Sequence, residues 1–159
     1  MGRDELLVAI SATMADIQAA HDDRDRLLAD RLGVGRTDLR CLDAIVRHGP
    51  QTAADLGRTL HLTRGSMTTL VDRLERQDLV ERRPDPDHGR RKLVCPTAEL
   101  IDRIAPLVGH LSDTAHAELT DYTDRQLAVV ARFLDTTLAR QRSIVDGLAI
   151  MEAPCDAAP

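Results

Sequence analysis

Residues 62–78, LTRGSMTTLVDRLERQD, bring together the side chains best suited to chemistry in this chain. At about 100° per residue on a helix, Met67, Leu70, Val71 and Leu74 share one arc and face inward. Gly65, Ser66, Thr69, Arg73 and Arg76 point the other way, with Thr68 and Asp72 towards the margins. Hydroxyls can read base edges or phosphates, and an arginine can take a bidentate grip on guanine. Gly65 leaves the first turn without a side chain, so a surface can approach closely. A single amphipathic helix with such a face is most simply a solvated one; its neighbours change that reading.

Thr52 suits the cap of a short helix, AADLGRTL, and Thr63 the cap of the helix that runs to about Gln77. The break between the two is three residues long, the spacing of a helix-turn-helix. In that motif the second helix enters the major groove by its N-terminal part, which singles out Thr63, Arg64, Gly65, Ser66, Thr68, Thr69, Arg73 and Arg76. Two short extended runs follow, 79–83 and 92–96, on either side of Pro84, Pro86 and Gly89. They predict a β-hairpin with a long charged tip, Val80 and Val94 turned inward. Such a wing offers Arg83, His88, Arg90, Arg91 and Lys92, and an arginine there reaches a neighbouring minor groove.

Other chemistries find less support. His110 and His116 are six apart, so they point about 120° away from each other on one helix, and the i, i+4 spacing that clamps a metal is missing. Cys41 lies in the first turn of its helix beside Arg40, both of which lower a thiol pKa. It also flanks an apolar face and has no resolving partner, so a packed, inert thiol is expected. His21 continues the apolar stripe of the first helix, where an imidazole suits an interface better than a ligand. No Gly-rich phosphate loop, Ser-His-Asp arrangement or paired-carboxylate cleft is present, so no enzyme is expected. No cofactor is implied.

The elements that position these residues follow from periodicity and punctuation. Residues 4–31 read as one long helix with Leu6, Ile10, Met14 and Ile17 at helical spacing. Gly33 and Gly35 break it, and Thr37 is the expected cap of a second helix through His48, with Leu39, Leu42, Ile45 and Val46 inward. After the hairpin, residues 98–119 form a fifth helix carrying Leu100, Ile104, Leu107 and Leu111, kinked at Pro106. Thr123 and Gln126 make a capping box for a sixth, with a seam of Leu127, Val130, Leu134, Leu138, Val145 and Leu148. The tail, 151–159, is expected to fray, Cys155 with it. The fold class is therefore mainly α with a small β-hairpin wing, six helices in all.

Net charge is −5 over 159 residues, which on its face argues against a nucleic acid as partner. The distribution is uneven: residues 58–92 hold nine Arg or Lys against six acids, a net +3 that leaves −8 for the remainder. A basic middle can focus a polyanion on one surface. With one Tyr, one Phe and no Trp, the core must be aliphatic, which suits helices packed by seams. No signal peptide opens the chain, and no apolar run approaches the roughly 20 residues that span a bilayer, so a cytoplasmic protein without membrane contact is expected.

The run TAADLGRTLHLTRGSMTTLVDRLERQDLVERRPDPDHGRRKLVCPT, residues 52–97, resembles the winged helix-turn-helix core of the MarR (multiple antibiotic resistance regulator) family. The resemblance implies a homodimer whose terminal helices, 1–36 and 98–150, interlock, with 37–97 as the DNA-binding lobe. Two recognition helices would meet successive major grooves of a pseudo-palindromic operator in double-stranded DNA. It also implies a pocket between the dimer helices and each lobe, for which Met14, Ile17, His21, Leu42 and His110 are the candidates. Family members are mostly repressors released by anionic phenolic or lipophilic ligands; a minority sense oxidants or metals. A metal- or thiol-responsive regulator of the same fold, and a helical dimer that binds a protein instead of DNA, are the alternatives.

By position, Thr63 to Arg73 match the recognition helix, Arg90 the wing-tip arginine, and Asp72 an acid that orients wing or helix arginines. Three residues depart from the pattern. His88 stands where the family has Asp, leaving Asp85 or Asp87 to anchor the tip. Asp78 replaces the glycine that ends the recognition helix, and Pro96 replaces an apolar residue, removing a strand donor.

Overall fold

The computed structural model describes residues 2–151, and side chains within 2–106 and 117–148. The side chains of Leu107, His110, Leu111 and His116, and all of Cys155, lie outside the described residues. The chain divides after Leu107 into two compact units.

The first unit opens with α1, Arg3–Leu32. Glu5 Oε2 accepts the Gly2 N–H at 2.8 Å, and Asp4 and Glu5 place negative charge at the helix start. Gly33, at φ 69°, takes the left-handed turn that stops it, and the Val34 N–H closes onto the Ala29 carbonyl at 3.0 Å. Only the C-terminal end of α1 joins the core, through Ala29 and Leu32. Leu6, Ile10 and Ile17 are exposed in the single chain.

The second helix, α2, spans Arg36–His48. Its cap is Gly35 and not Thr37, which lies two residues later, already inside the helix. Asp38, three residues on, reaches back instead: its Oδ2 accepts the N–H of the cap residue Gly35 at 3.2 Å. Leu39, Leu42 and Ile45 are buried, but Val46 is 41% exposed, on the outer edge of the helix. Beyond Gly49, Gln51–Thr52 form a two-residue strand, β1, that periodicity cannot reveal. Thr52 also caps α3, Ala53–Leu60, where its Oγ1 accepts the Asp55 N–H at 3.2 Å.

Thr63 caps α4, Arg64–Arg76. The strands β2, Val80–Pro84, and β3, Lys92–Pro96, then form the hairpin, with Val80 opposite Pro96 and Arg82 opposite Val94. The antiparallel sheet has the order β1-β3-β2, so the hairpin is stitched by β1 to the start of α3. Met67, Leu70, Val71 and Leu74 of α4 pack with Leu39, Leu42, Ile45, Leu56, Leu79, Val80, Val94 and Leu100 in one aliphatic core. The inner face of α4 is thereby fixed, and its polar face must point outward.

The helix α5, Ala98–Glu118, starts in the first unit and carries Pro106 within it. Arg103 Nη2 donates to the carbonyls of Arg31 and Leu32 at 3.3 and 3.2 Å, tying its first turns to the end of α1. In the second unit α6 spans Asp124–Met151. Thr123 and Gln126 form the capping box: the Thr123 N–H donates to Gln126 Oε1 at 2.9 Å, and the Gln126 N–H to Thr123 Oγ1 at 3.4 Å. Val130, Leu134, Leu138, Val145 and Leu148 of α6 are all exposed. Among the described residues no helix is long and apolar enough to cross a membrane.

Candidate nucleic-acid interface

The first turn of α4 is organised by hydroxyls. Thr63 Oγ1 accepts the Ser66 N–H at 3.2 Å and lies 2.9 Å from Ser66 Oγ. Thr68 donates its hydroxyl to the Arg64 carbonyl at 2.9 Å. Arg64, Gly65, Ser66, Thr68 and Thr69 are exposed, and a Cβ placed on Gly65 would meet only open space. Ser66, Thr69 and Arg73 line an open basin with Thr37, Leu62 and Leu70. Arg76 is also exposed and bends back so that its Nε donates to the Asp72 carbonyl at 3.2 Å.

Arg73 does not project freely. Its Nε lies 3.0 Å from Asp38 Oδ2 and its Nη2 on Oδ1, so the guanidinium forks onto a carboxylate that is only 3% exposed. With the Gly35 N–H, Asp38 has three donors, and the pair in turn holds the Arg73 guanidinium more firmly protonated, by the hydrogen bond first and then by charge. The Nε–Nη2 edge of the guanidinium is thus engaged with Asp38. Besides facing the basin beside Ser66 and Thr69, this arginine joins α4 to α2.

A second network joins α4 to the wing. Arg82, at the root of β2, places Nη2 2.6 Å from Asp72 Oδ1 and Nη1 on Glu75 Oε2. Its backbone N–H adds a bond to Glu75 Oε1 at 3.0 Å. Asp72 therefore orients a wing arginine, with Glu75 as a second acid that no local spacing in the sequence marks. Arg83 pairs with Glu81 on its own strand.

At the tip Asp85 is the anchor. Its Oδ1 accepts the Asp87 N–H at 2.9 Å, its carbonyl the His88 N–H at 3.3 Å, and its own N–H reaches the Arg91 carbonyl at 3.0 Å. His88, Arg90, Arg91 and Lys92 are exposed around this turn. Asp78 adopts φ 56°, the left-handed conformation glycine would take, and the Leu79 N–H closes onto the Leu74 carbonyl at 3.0 Å. Thr97 compensates for Pro96: its hydroxyl donates to the Asp78 carbonyl at 2.6 Å and its N–H to the Leu79 carbonyl at 3.2 Å.

Thr52, Ala54, Asp55, Arg58, Arg64, Arg91 and Lys92 enclose a wider basin of 610 Å³ where α3, α4 and the base of the wing meet. Asp55 is held below the usual carboxylate range, first by the Thr52 hydroxyl, 2.6 Å away, opposed by desolvation, and then by the Arg58 charge.

Of the candidate sensor residues, His110 lies outside the described side chains. Leu42 is 2% exposed within the core, whereas Ile17 and His21 are exposed on α1 and Met14 is half-buried there. Cys41 is fully buried, and its thiol is pushed up to about 12 by desolvation and then by Asp38, the opposite of an activated sulfur. Cys95 is buried as well. Among the described residues no three His, Cys, Asp or Glu side chains come together to hold a metal.

An exposed, hydroxyl-bearing helix inside a helix-turn-helix, with a basic hairpin fastened beside it, defines the class: a winged helix-turn-helix DNA-binding protein. Comparison with known proteins agrees. A MarR family model matches residues 32–91. The uncharacterized HTH-type transcriptional regulator YcgE of Bacillus subtilis (strain 168) is 36% identical over 106 residues, 67% of this chain and 69% of that protein. YkoM of the same strain, described in the same words, is 28% identical over 63% of this chain and 67% of its own length. The fold is shared with a MarR family protein from Bacillus stearothermophilus, at TM-score 0.59 and 18% identity over 89% of this chain and 99% of that one. It is shared too with the S. aureus MepR–DNA complex, at TM-score 0.54 and 16% identity over 82% and 98%. The chain belongs to the MarR family, and is a DNA-binding transcriptional regulator, not an enzyme.

Proposed function

We propose that two copies of this chain bind a pseudo-palindromic operator as a homodimer and repress transcription until a small phenolic or lipophilic ligand releases them. The observation that carries this reading is the outer face of α4. Thr63, Arg64, Gly65, Ser66, Thr68 and Thr69 lie along its first turns with the core behind them, and Arg83, His88, Arg90, Arg91 and Lys92 stand on the adjoining hairpin. Helix N-terminal turns of this kind supply base contacts, and the wing supplies minor-groove and phosphate contacts.

Dimerisation is supported by what the single chain leaves uncovered. Leu6, Ile10 and Ile17 on α1 and Val130, Phe133, Leu134 and Leu138 on α6 are exposed aliphatic or aromatic side chains at helical spacing. Faces like these mark association surfaces. Segments 1–36 and 98–150 then serve as dimerisation arms and 37–97 as the DNA-binding lobe. A ligand that prefers one spacing of the two lobes shifts operator affinity in proportion to its differential binding. Met14, Ile17, His21 and Leu42 remain the candidates on the described part of the chain for lining its site.

Footprinting on the DNA flanking the protein's own gene, with and without aromatic acids, tests the proposal. Two protected half-sites about one helical turn apart are expected, with protection lost on adding the effective acid. Absence of duplex binding at low salt would instead make the chain a protein-binding module.

A further inference from the structure

The basin beside α4 is not explained by base reading. Of the side chains that enclose it only Ala54 is apolar, so it lacks the walls that a small aromatic ligand needs. Four cations line it, Arg58, Arg64, Arg91 and Lys92, against the single carboxylate of Asp55. Among the described residues Arg64, Arg91 and Lys92 have no ion-pair partner, and the Arg58–Asp55 pair is well exposed, at 74% and 43% of the two side chains. An exposed pair of this kind is worth little, so Arg58 can exchange its carboxylate for another oxyanion at small cost. Concentrating net positive charge in one concavity focuses field where an anion would sit.

The chain elements that contribute the cations decide which anion fits. Arg64 is the first residue of α4, Lys92 the first of β3, and Arg58 belongs to the last turn of α3. An anion held by all three touches both helices of the helix-turn-helix and the root of the wing. We propose that this basin seats a backbone phosphate of the duplex at the edge of the groove entered by α4, with Arg58 as a phosphate ligand outside recognition helix and wing. The inference rests on the DNA-binding reading above and deepens it. Such a contact fixes the protein's register on the duplex without reading sequence. Asp55 opposes it: held by the Thr52 hydroxyl at 2.6 Å, it keeps one negative charge inside the seat and limits how tightly any duplex is gripped.

The test is a salt titration of full-length protein on an operator duplex and on a scrambled duplex of equal length. Arg58→Gln should weaken both by the same factor, roughly tenfold at moderate salt, as loss of one charge-assisted hydrogen bond implies. It should also lower the slope of log K against log salt by about 0.9. Asp55→Asn, which keeps an oxygen for the Thr52 hydroxyl, should tighten both duplexes several-fold. An Arg58→Gln protein that binds both duplexes as the parent does, with an unchanged slope, overturns the phosphate seat while leaving DNA binding intact. A loss confined to the operator also overturns it, because Arg58 would then be reading sequence. Failure of the parent protein to bind either duplex overturns both readings together.

Discussion

Arg73 of α4 and Asp38 of α2, 35 residues apart in sequence, meet in a two-pronged ion pair whose carboxylate is buried and whose arginine is 42% exposed on the side chain. The pair sets the orientation of the recognition helix against the helix behind it. Packing of Met67, Leu70, Val71 and Leu74 fixes which face turns inward, but aliphatic contacts alone allow a helix to slide or roll. A forked guanidinium allows much less of either.

Arg73→Ala strips Asp38 of two donors and leaves a buried carboxylate with the Gly35 N–H alone. The expected cost is about 1–3 kcal/mol in unfolding free energy, measured by urea denaturation. Affinity for operator and for scrambled DNA should fall by a common factor. Arg73→Lys should restore little, since an ammonium cannot span both oxygens. A loss limited to one G·C pair of the operator would return Arg73 to the role of a base reader.

Arg82 makes the matching prediction for the wing. Its guanidinium touches Asp72 and Glu75, is 24% exposed, and is not among the side chains proposed to contact DNA. Arg82→Gln should therefore loosen the hairpin, seen as faster amide exchange over residues 80–96, and weaken operator binding several-fold with its salt slope kept. Arg90→Ala should do the reverse: exchange unchanged, and the slope reduced by about 0.9 for one lost phosphate contact. Equal slopes in the two variants would contradict this division between positioning and contact.

How far the sequence announces these relations depends on their range. Caps at Thr52, Thr63 and Thr123, the inward set on α4 and the hairpin about Val80 and Val94 are set by neighbours within a few residues, so spacing reveals them. The cap of α2 is at Gly35 although Thr37 carries the stronger local signal, because Asp38 bonds the N–H of the residue three before it. Strand β1 has two residues and is a strand only because β3 lies beside it. The Arg73–Asp38 fork joins residues 35 apart, and no periodicity carries it. The family resemblance marks Asp72 as an orienting acid, while Glu75 and Arg82 are brought together by the turn at Asp78.

Cys41 gives a prediction with a defined pH window. Its thiol is pushed up from 9.0 to about 12 in the folded chain, by burial first and by Asp38 second. The unfolded chain then ionises first, so this contribution is fully present below about pH 9 and is lost as pH rises towards 12. Urea midpoints should fall between pH 8 and pH 10.5, and fall less in Cys41→Ala. At pH 8 a thiol reagent should modify Cys41 only after denaturation, localised by peptide mass mapping. Rapid modification of Cys41 in the folded protein would revive the redox-sensor reading.

The proposed dimer depends on side chains that a lone copy leaves in water. Leu134 is 51% exposed near the middle of α6, and Val130, Phe133 and Leu138 on nearby turns are 37%, 43% and 48% exposed. Burying one leucine fully is worth about 1.5–3 kcal/mol, and a two-fold interface counts it twice. Leu134→Asp removes that gain and adds a carboxylate that must be desolvated in each protomer. The variant should sediment as a monomer at micromolar concentration while keeping the parent's helical circular dichroism. Operator affinity should collapse towards that of one half-site, since the second lobe no longer benefits from being tethered to the first. A Leu134→Asp protein that still sediments as a dimer would move the interface off this face of α6.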